Sequence, residues 1–212
     1  ISWLSEGQGL STVDLTMNGS MINQTYTGKV ILKGNEMFLR SFHGDISEAF
    51  GEVKLDKSKI TFNNVKMRYD DSPLSLDGWI EISPPNLTSA DLRIQGTDIP
   101  FSSPETWQFL ADTDLTLKGS NSRLTLAGYL NIEDGLYYKD YSLSQFVLKP
   151  IGVKESSEET NFKNLNFDMH VRSSGEFEVH NNLVDLSLKG DLIVQGNYNK
   201  PILNGNIDVL DG

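Results

Sequence analysis

Along most of this chain apolar and polar side chains alternate, and that two-residue period constrains the fold more than any other feature. The clearest run sets Leu124, Leu126, Gly128, Leu130 and Ile132 against Arg123, Thr125, Ala127, Tyr129 and Asn131. Successive side chains of a β-strand point to opposite faces, so this segment carries one apolar and one mainly polar face. Leu165, Phe167, Met169 and Val171 repeat the pattern against Asn164, Asn166, Asp168 and His170, and Phe177 and Val179 continue it. Val184, Leu186 and Leu188 alternate with Asp185, Ser187 and Lys189, and Ile207 and Val209 with Asn206 and Asp208. The same reading predicts strands over Val13–Met17, Tyr26–Leu32, Val53–Leu55, Ile60–Phe62, Val65–Tyr69, Leu74–Ile82 and Leu92–Ile94. The fold class is all-β.

Tight-turn residues punctuate these runs at Asn63-Asn64, Asp134-Gly135 and Asn181-Asn182, so successive strands are expected to be mostly antiparallel neighbours. One short helix is expected near residues 104–110. There Ser103 stands as N-cap, Pro104 as first helical residue and Glu105 as an acid in the first turn. Lys154–Thr160, with three glutamates among serines, reads as an exposed loop.

A short string recurs. Asp-Leu-Thr/Ser-Leu/Met-Lys/Asn-Gly occurs at Asp14–Gly19, Asp114–Gly119 and Asp185–Gly190. Each copy is followed by glycine and alternating aliphatics, at Gly28–Leu32, Gly128–Ile132 and Gly205–Val209, with a further instance at Gly78–Ile82. Repetition of a strand unit predicts a stacked, elongated sheet. Glycine inside a strand marks a bulge or bend, so its recurrence predicts a sheet that curls. The expected organisation is one continuous segment, 1–212, of a longer protein, with weaker repeats over 1–113 and clearer ones over 114–212.

Charge and composition exclude whole function classes. With 29 acidic against 18 basic residues the net charge is −11, which repels phosphate backbones and argues against nucleic acid as a partner. There is no cysteine, hence no thiol nucleophile, disulfide framework or Cys-ligated metal. No segment approaches the roughly 20 apolar residues of a membrane helix. No Gly-x-Ser-x-Gly elbow or phosphate-binding glycine loop is present. The three histidines, His43, His170 and His180, stand at no metal-ligand spacing on a helix. Asp70-Asp71 and Asp112-Thr113-Asp114 read as turn or strand-edge punctuation. No catalytic residue, cofactor or metal is expected, and the chain is read as not an enzyme.

At the C-terminal end the residues carry a resemblance. Leu188–Gly196, ending a strand in glycine, then Pro201-Ile202-Leu203-Asn204-Gly205-Asn206-Ile207 and the turn glycine Gly212, resembles the repeating module of the TamB family. Arg172–Leu186 is similar to the stretch preceding that module. The resemblance covers Asn161–Gly212 well, Asp114–Pro150 fairly and Ile1–Pro100 weakly, and AsmA-like envelope proteins share the pattern. It implies a periplasmic body, in a protein anchored in the inner membrane, whose sheet folds lengthwise into an open groove, a β-taco. It also implies an outer-membrane barrel partner of the BamA/TamA type and a role in carrying phospholipid to the outer membrane or in assembling outer-membrane proteins.

On these grounds the groove lining is expected to be Leu126, Leu130, Ile132, Leu165, Phe167, Met169, Val171, Phe177, Val179, Leu186, Leu188, Leu192, Val194, Ile207 and Val209. These apolar-face positions carry no charge, as acyl chains require. The same alternation would also build a closed barrel or sandwich whose interior is filled core. Alternation does not separate the two. The alternatives to a phospholipid conduit are a scaffold that assembles outer-membrane barrels by strand addition and a β-solenoid adhesin binding through its outer face. End-to-end self-association through terminal strands is a further expectation.

Overall fold

A computed structural model describes residues 4–19, 24–39, 44–83, 86–103, 105–120, 123–140 and 165–212. They form one sheet of twelve strands. The strands are β1 (Leu4–Gly19), β2 (Gln24–Leu39), β3 (Gly44–Asp56), β4 (Lys59–Tyr69), β5 (Ser72–Ser83) and β6 (Asn86–Ser103). They continue with β7 (Trp107–Ser120), β8 (Arg123–Tyr137), β9 (Leu165–Ser173), β10 (Phe177–His180), β11 (Asp185–Asn197) and β12 (Lys200–Asp211). β1 to β8 follow one another as an antiparallel meander. β9 and β10 then share one place between β8 and β11: β9 pairs with Leu124–Ile132 of β8, and β10 with Gly135–Tyr137. Both run parallel to β8, the one departure from the antiparallel pattern. Segment 154–160 lies outside the described residues.

The sheet is elongated and curled, and nothing described packs over it. Contacts between elements run almost wholly between hydrogen-bonded neighbours, and β1 and β12 each pair on one side only. The buried apolar residues among those described are Ala49, Val65, Ala90, Leu92, Ile99, Ala111 and Leu124, and only Val65 is a large, fully buried side chain. A sandwich would hide whole inner faces of two sheets. Among the described residues this single sheet has no second layer.

Register explains the recurring glycines. Gly28, Gly78, Gly128 and Gly205 stand opposite Leu15, Leu92, Leu115 and Leu192, each the leucine of an Asp-Leu pair. The repeat is thus a hairpin contact between an Asp-Leu strand and a glycine strand. For the third copy this corrects the sequence reading: Gly205 faces Asp191-Leu192, not the string starting at Asp185.

Three local expectations are overturned. No helix forms near 104–110. Residue 104 lies outside the described residues, but the N–H of Thr106 donates to the carbonyl of Ser103 at 3.0 Å, Glu105 has φ 65°, and β7 begins at Trp107. Trp107 and Phe109 pair with Tyr137 and Gly135 across the sheet, and this cross-strand burial outweighs a short N-capping signal. Asn63-Asn64 is not a turn: β4 runs through it, with Asn64 at φ 46° in a bulge whose N–H donates to Asp77 Oδ1 at 3.0 Å. Asp134-Gly135 likewise lies inside β8, beside the bulged Glu133. Asp70-Asp71 does form the β4–β5 turn, both at positive φ, and Asn181-Asn182 lies in the β10–β11 turn.

Candidate apolar binding face

The register carries the expected apolar residues into contiguous rows on one face. One row is Leu117, Leu126 and Phe167. The next is Leu115, Gly128, Met169, Val194 and Leu203; beside it run Thr113, Leu130, Val171, Leu192 and Gly205. Leu165 extends the face beside Leu124. Where β10 replaces β9, Phe177 pairs with Leu188 and Val179 with Leu186, and Leu188 in turn faces Val209. Ile132 sits opposite Ala111, and Ile207 opposite Gly190. All fifteen positions therefore share one face, and these rows contain no charged residue.

None of the fifteen is buried. Thirteen are half-buried, which is what packing against sheet neighbours alone produces, while Ile207 is 58% and Val209 62% exposed on β12. The face extends further than the sequence reading placed it. Leu76, Ile94 and Leu115 continue one row across β5 to β7, and Val13, Val30, Val53 and Phe62 form another across β1 to β4. Aromatic residues gather at one end of the strands. Phe109 stacks on both Phe101 and Trp107 with ring centroids 5.1 Å apart, and Tyr137 and Phe177 adjoin them through register. Phe101, Trp107, Phe109 and Tyr137 were missed because three strands, β6 to β8, and the bulges between them bring these side chains together beside Phe177; no local signal in the sequence does so.

Charges occupy the other face. Arg93 makes a two-pronged contact with Asp114 at 2.8 and 3.0 Å, and Lys118 pairs with Asp91 at 3.1 Å. The Arg93 guanidinium holds the Asp114 carboxyl below its ordinary range. Hydrogen bonds from Lys54 and Asn63 do the same for Glu52. His170 meets Asp191 at 2.6 Å, and His180 lies between Glu178 and Asp185 at 3.1 and 2.5 Å. His43 lies outside the described residues. The two described histidines are thus served by carboxylates on the polar face and do not converge on each other.

Asp112 and Asp114 lie inside the central strand β7, not at an edge as the sequence suggested. Asp112 Oδ1 accepts the N–H of the bulged Asp98 at 3.1 Å, repeating the Asp77–Asn64 device. Asp98, Asp112 and Glu133 come close enough for one carboxylate oxygen from each to lie within 4.8 Å of the others. The Asp112 charge, then the hydrogen bond and charge of Asp98, push the Glu133 carboxyl above its ordinary range. Three acids at a pair of bulges can be explained by backbone capping. Sequence spacing could not reveal them, since two bulges bring them together.

A single curled sheet with one apolar face that no described element covers and one ion-paired face defines an elongated, surface-presenting β protein. Residues 63–212 match the family model described as the TamB C-terminal domain, and the chain belongs to the TamB family, a transport and assembly family of the cell envelope. The match begins well before Asp114, in the region where the sequence resemblance was weak. No curated protein and no solved structure matches the chain. Among the described residues no helix is long and apolar enough to cross a membrane.

Proposed function

We propose that this chain is a periplasmic, non-enzymatic segment of a TamB-like protein whose curled sheet forms a groove, its apolar face carrying phospholipid acyl chains between inner and outer membrane. The observation that carries the reading is the continuous, uncharged, half-exposed row system from β7 to β12, with no described element over it. An acyl chain laid on such a face gains about 0.8 kcal/mol per methylene withdrawn from water. Polar cargo gains nothing comparable there.

Native mass spectrometry of the purified chain, with extraction of bound lipid, tests this. Phospholipid should copurify, and Leu130→Arg, Leu188→Asp and Val209→Asp should each reduce it while circular dichroism stays that of a β-sheet. Val209 is already largely exposed, so its variant folds even where the other two are compromised. Folded variants that keep their lipid, or a wild-type chain that refuses added lipid, would remove the conduit reading.

A second reading is a scaffold that adds a strand to an outer-membrane barrel of the BamA/TamA type or to its client. β12 supports it: it pairs only with β11, and Ile202, Leu203 and Leu210 are exposed along with Ile207 and Val209. The same edge would serve end-to-end self-association. Proline in β12 removes an edge N–H and should abolish strand addition, while Leu130→Arg should leave it intact.

A further inference from the structure

β12 pairs only with β11, and its other edge lacks the devices that keep edge strands apart. Natural edges are blunted by lysine, proline, bulges or charge pointing inward. From Ile202 to Val209 there is no lysine and no proline, the pairing with β11 is regular, and the one charge, Asp208, lies on the polar face. Ile202, Leu203, Ile207, Val209 and Leu210 are all exposed. One apolar gap is also left half filled. Gly28 stands between Leu15 and Leu55, Gly78 between Phe62 and Leu92, and Gly128 between Leu115 and Met169. Gly205 has Leu192 on one side and no described residue on the other.

This strand reads alike in both directions about Asn206. Set antiparallel against a second β12 with the two Asn206 residues opposed, Gly205 faces the partner's Ile207 and Leu203 faces the partner's Val209 on the apolar face. On the polar face Asn204 faces the partner's Asp208, an amide donor against a carboxylate. Each of these pairs occurs twice, no like charges are opposed, and Ile202 comes beside the partner's Leu210, where β12 bulges. Moving the centre by one residue breaks the match. About Gly205, Ile202 would meet Asp208; about Ile207, Asn204 would meet Leu210.

We infer that two copies of this chain join β12 to β12, antiparallel and centred on Asn206, through a two-fold axis normal to the sheet. Such an axis keeps both apolar faces on the same side, so the apolar rows continue across the joint. This rests on the strand-adding role proposed above for β12 and names its partner as a second copy. The contact uses the same patch on both copies and is closed, so it yields dimers rather than longer assemblies. Each copy carries a net charge of −11, so dimers strengthen as salt screens that repulsion.

The chain has no cysteine, so single introduced cysteines report the register. Directly opposed residues of antiparallel strands lie about 4.5–5.5 Å apart at Cα, within reach of a disulfide. Asn206→Cys should therefore cross-link to its own copy on mild oxidation of the full chain. It should do so roughly tenfold faster than Asn204→Cys or Asp208→Cys alone, whose own copies stand about 13 Å apart along the strands. Mixing Asn204→Cys with Asp208→Cys should restore cross-linking, and sedimentation of the unaltered chain should show a dimer favoured by salt. A chain that stays monomeric up to millimolar concentration, equal rates for the three single cysteines, or a mixture that fails to cross-link each overturns the inference. A monomer that still captures a barrel, with capture lost on proline substitution in β12, keeps the strand-adding scaffold and loses this inference. A dimer locked by Asn206→Cys that captures no barrel keeps this inference and loses the barrel partner.

Discussion

Gly128 lies against Asp114 so closely that a Cβ built on it would stand 2.1 Å from the Asp114 carbonyl oxygen. Its φ of +126° is also one that side chains with a Cβ rarely adopt. The neighbouring strand's backbone cannot yield as a side-chain tip could. Gly128→Ala should therefore cost about 2 kcal/mol or more in urea denaturation. Gly190→Ala is the control: the nearest atom to its Cβ would be 3.9 Å away, and the change should stay within about 0.5 kcal/mol. Equal losses at the two positions would show that the close strand approach does not matter to stability.

Thr113 lies on the apolar face between Gly96 and Leu130, is 7% exposed, and its buried hydroxyl has no hydrogen-bond partner among the described residues. A buried polar group without a partner carries its desolvation penalty uncompensated. Thr113→Val should raise stability by about 1 kcal/mol, read as a higher urea midpoint with unchanged slope. A lower midpoint would mean that the hydroxyl is satisfied in solution.

Glu133 and Asp114 should respond to pH in opposite senses. The Glu133 carboxyl is pushed up by Asp112 and then Asp98, so its protonated form favours the fold. That contribution is full below the ordinary carboxylate range and is lost as pH rises through the raised value. Glu133→Gln should accordingly be more stable than wild type at neutral pH, and the advantage should vanish in acid. Asp114, held low by Arg93, contributes above the ordinary range and loses that contribution as pH falls through its depressed value. Asp114→Asn should be destabilising at neutral pH and neutral in strong acid, weakly so because the pair is half exposed. Thermal melts from pH 2 to 8 check both; parallel curves for the two variants would contradict the assignment.

Trp107 and Phe109 hold a β7 start that the local sequence marks for a helix. Replacing both with alanine removes the stacking on Phe101 and should cost about 3 kcal/mol or more. Amide exchange over Trp107–Ala111 should rise more than exchange over Leu115–Ser120. Uniform acceleration along β7 would mean that the aromatic group does not hold this end of the strand.

Much of the fold was legible because the period of two is itself the geometry of a strand. The fifteen residues from Leu126 to Val209 were assigned to one face, and register places them there. Turn residues misled where strands were long: Asn63-Asn64 and Asp134-Gly135 carry turn chemistry, yet the partner strand continues past them and the extra residue becomes a bulge. Ser103-Pro104-Glu105 misled for the same reason, because local capping is worth less than cross-strand aromatic burial.

The alternation of apolar and polar residues by itself determined that the chain forms strands and that they carry one uncharged face, since side-chain direction follows from residue parity alone. Whether that face would be closed into a core or left open was decided only by the tertiary structure, because closure depends on which strands pair. Among the described residues β1 and β12 do not meet and no second layer forms. The convergence of Asp98, Asp112 and Glu133 and the aromatic group around Phe109 were also decided there. Each depends on residues far apart in the chain meeting through register, and register is set by bulges and pairings that no local window contains.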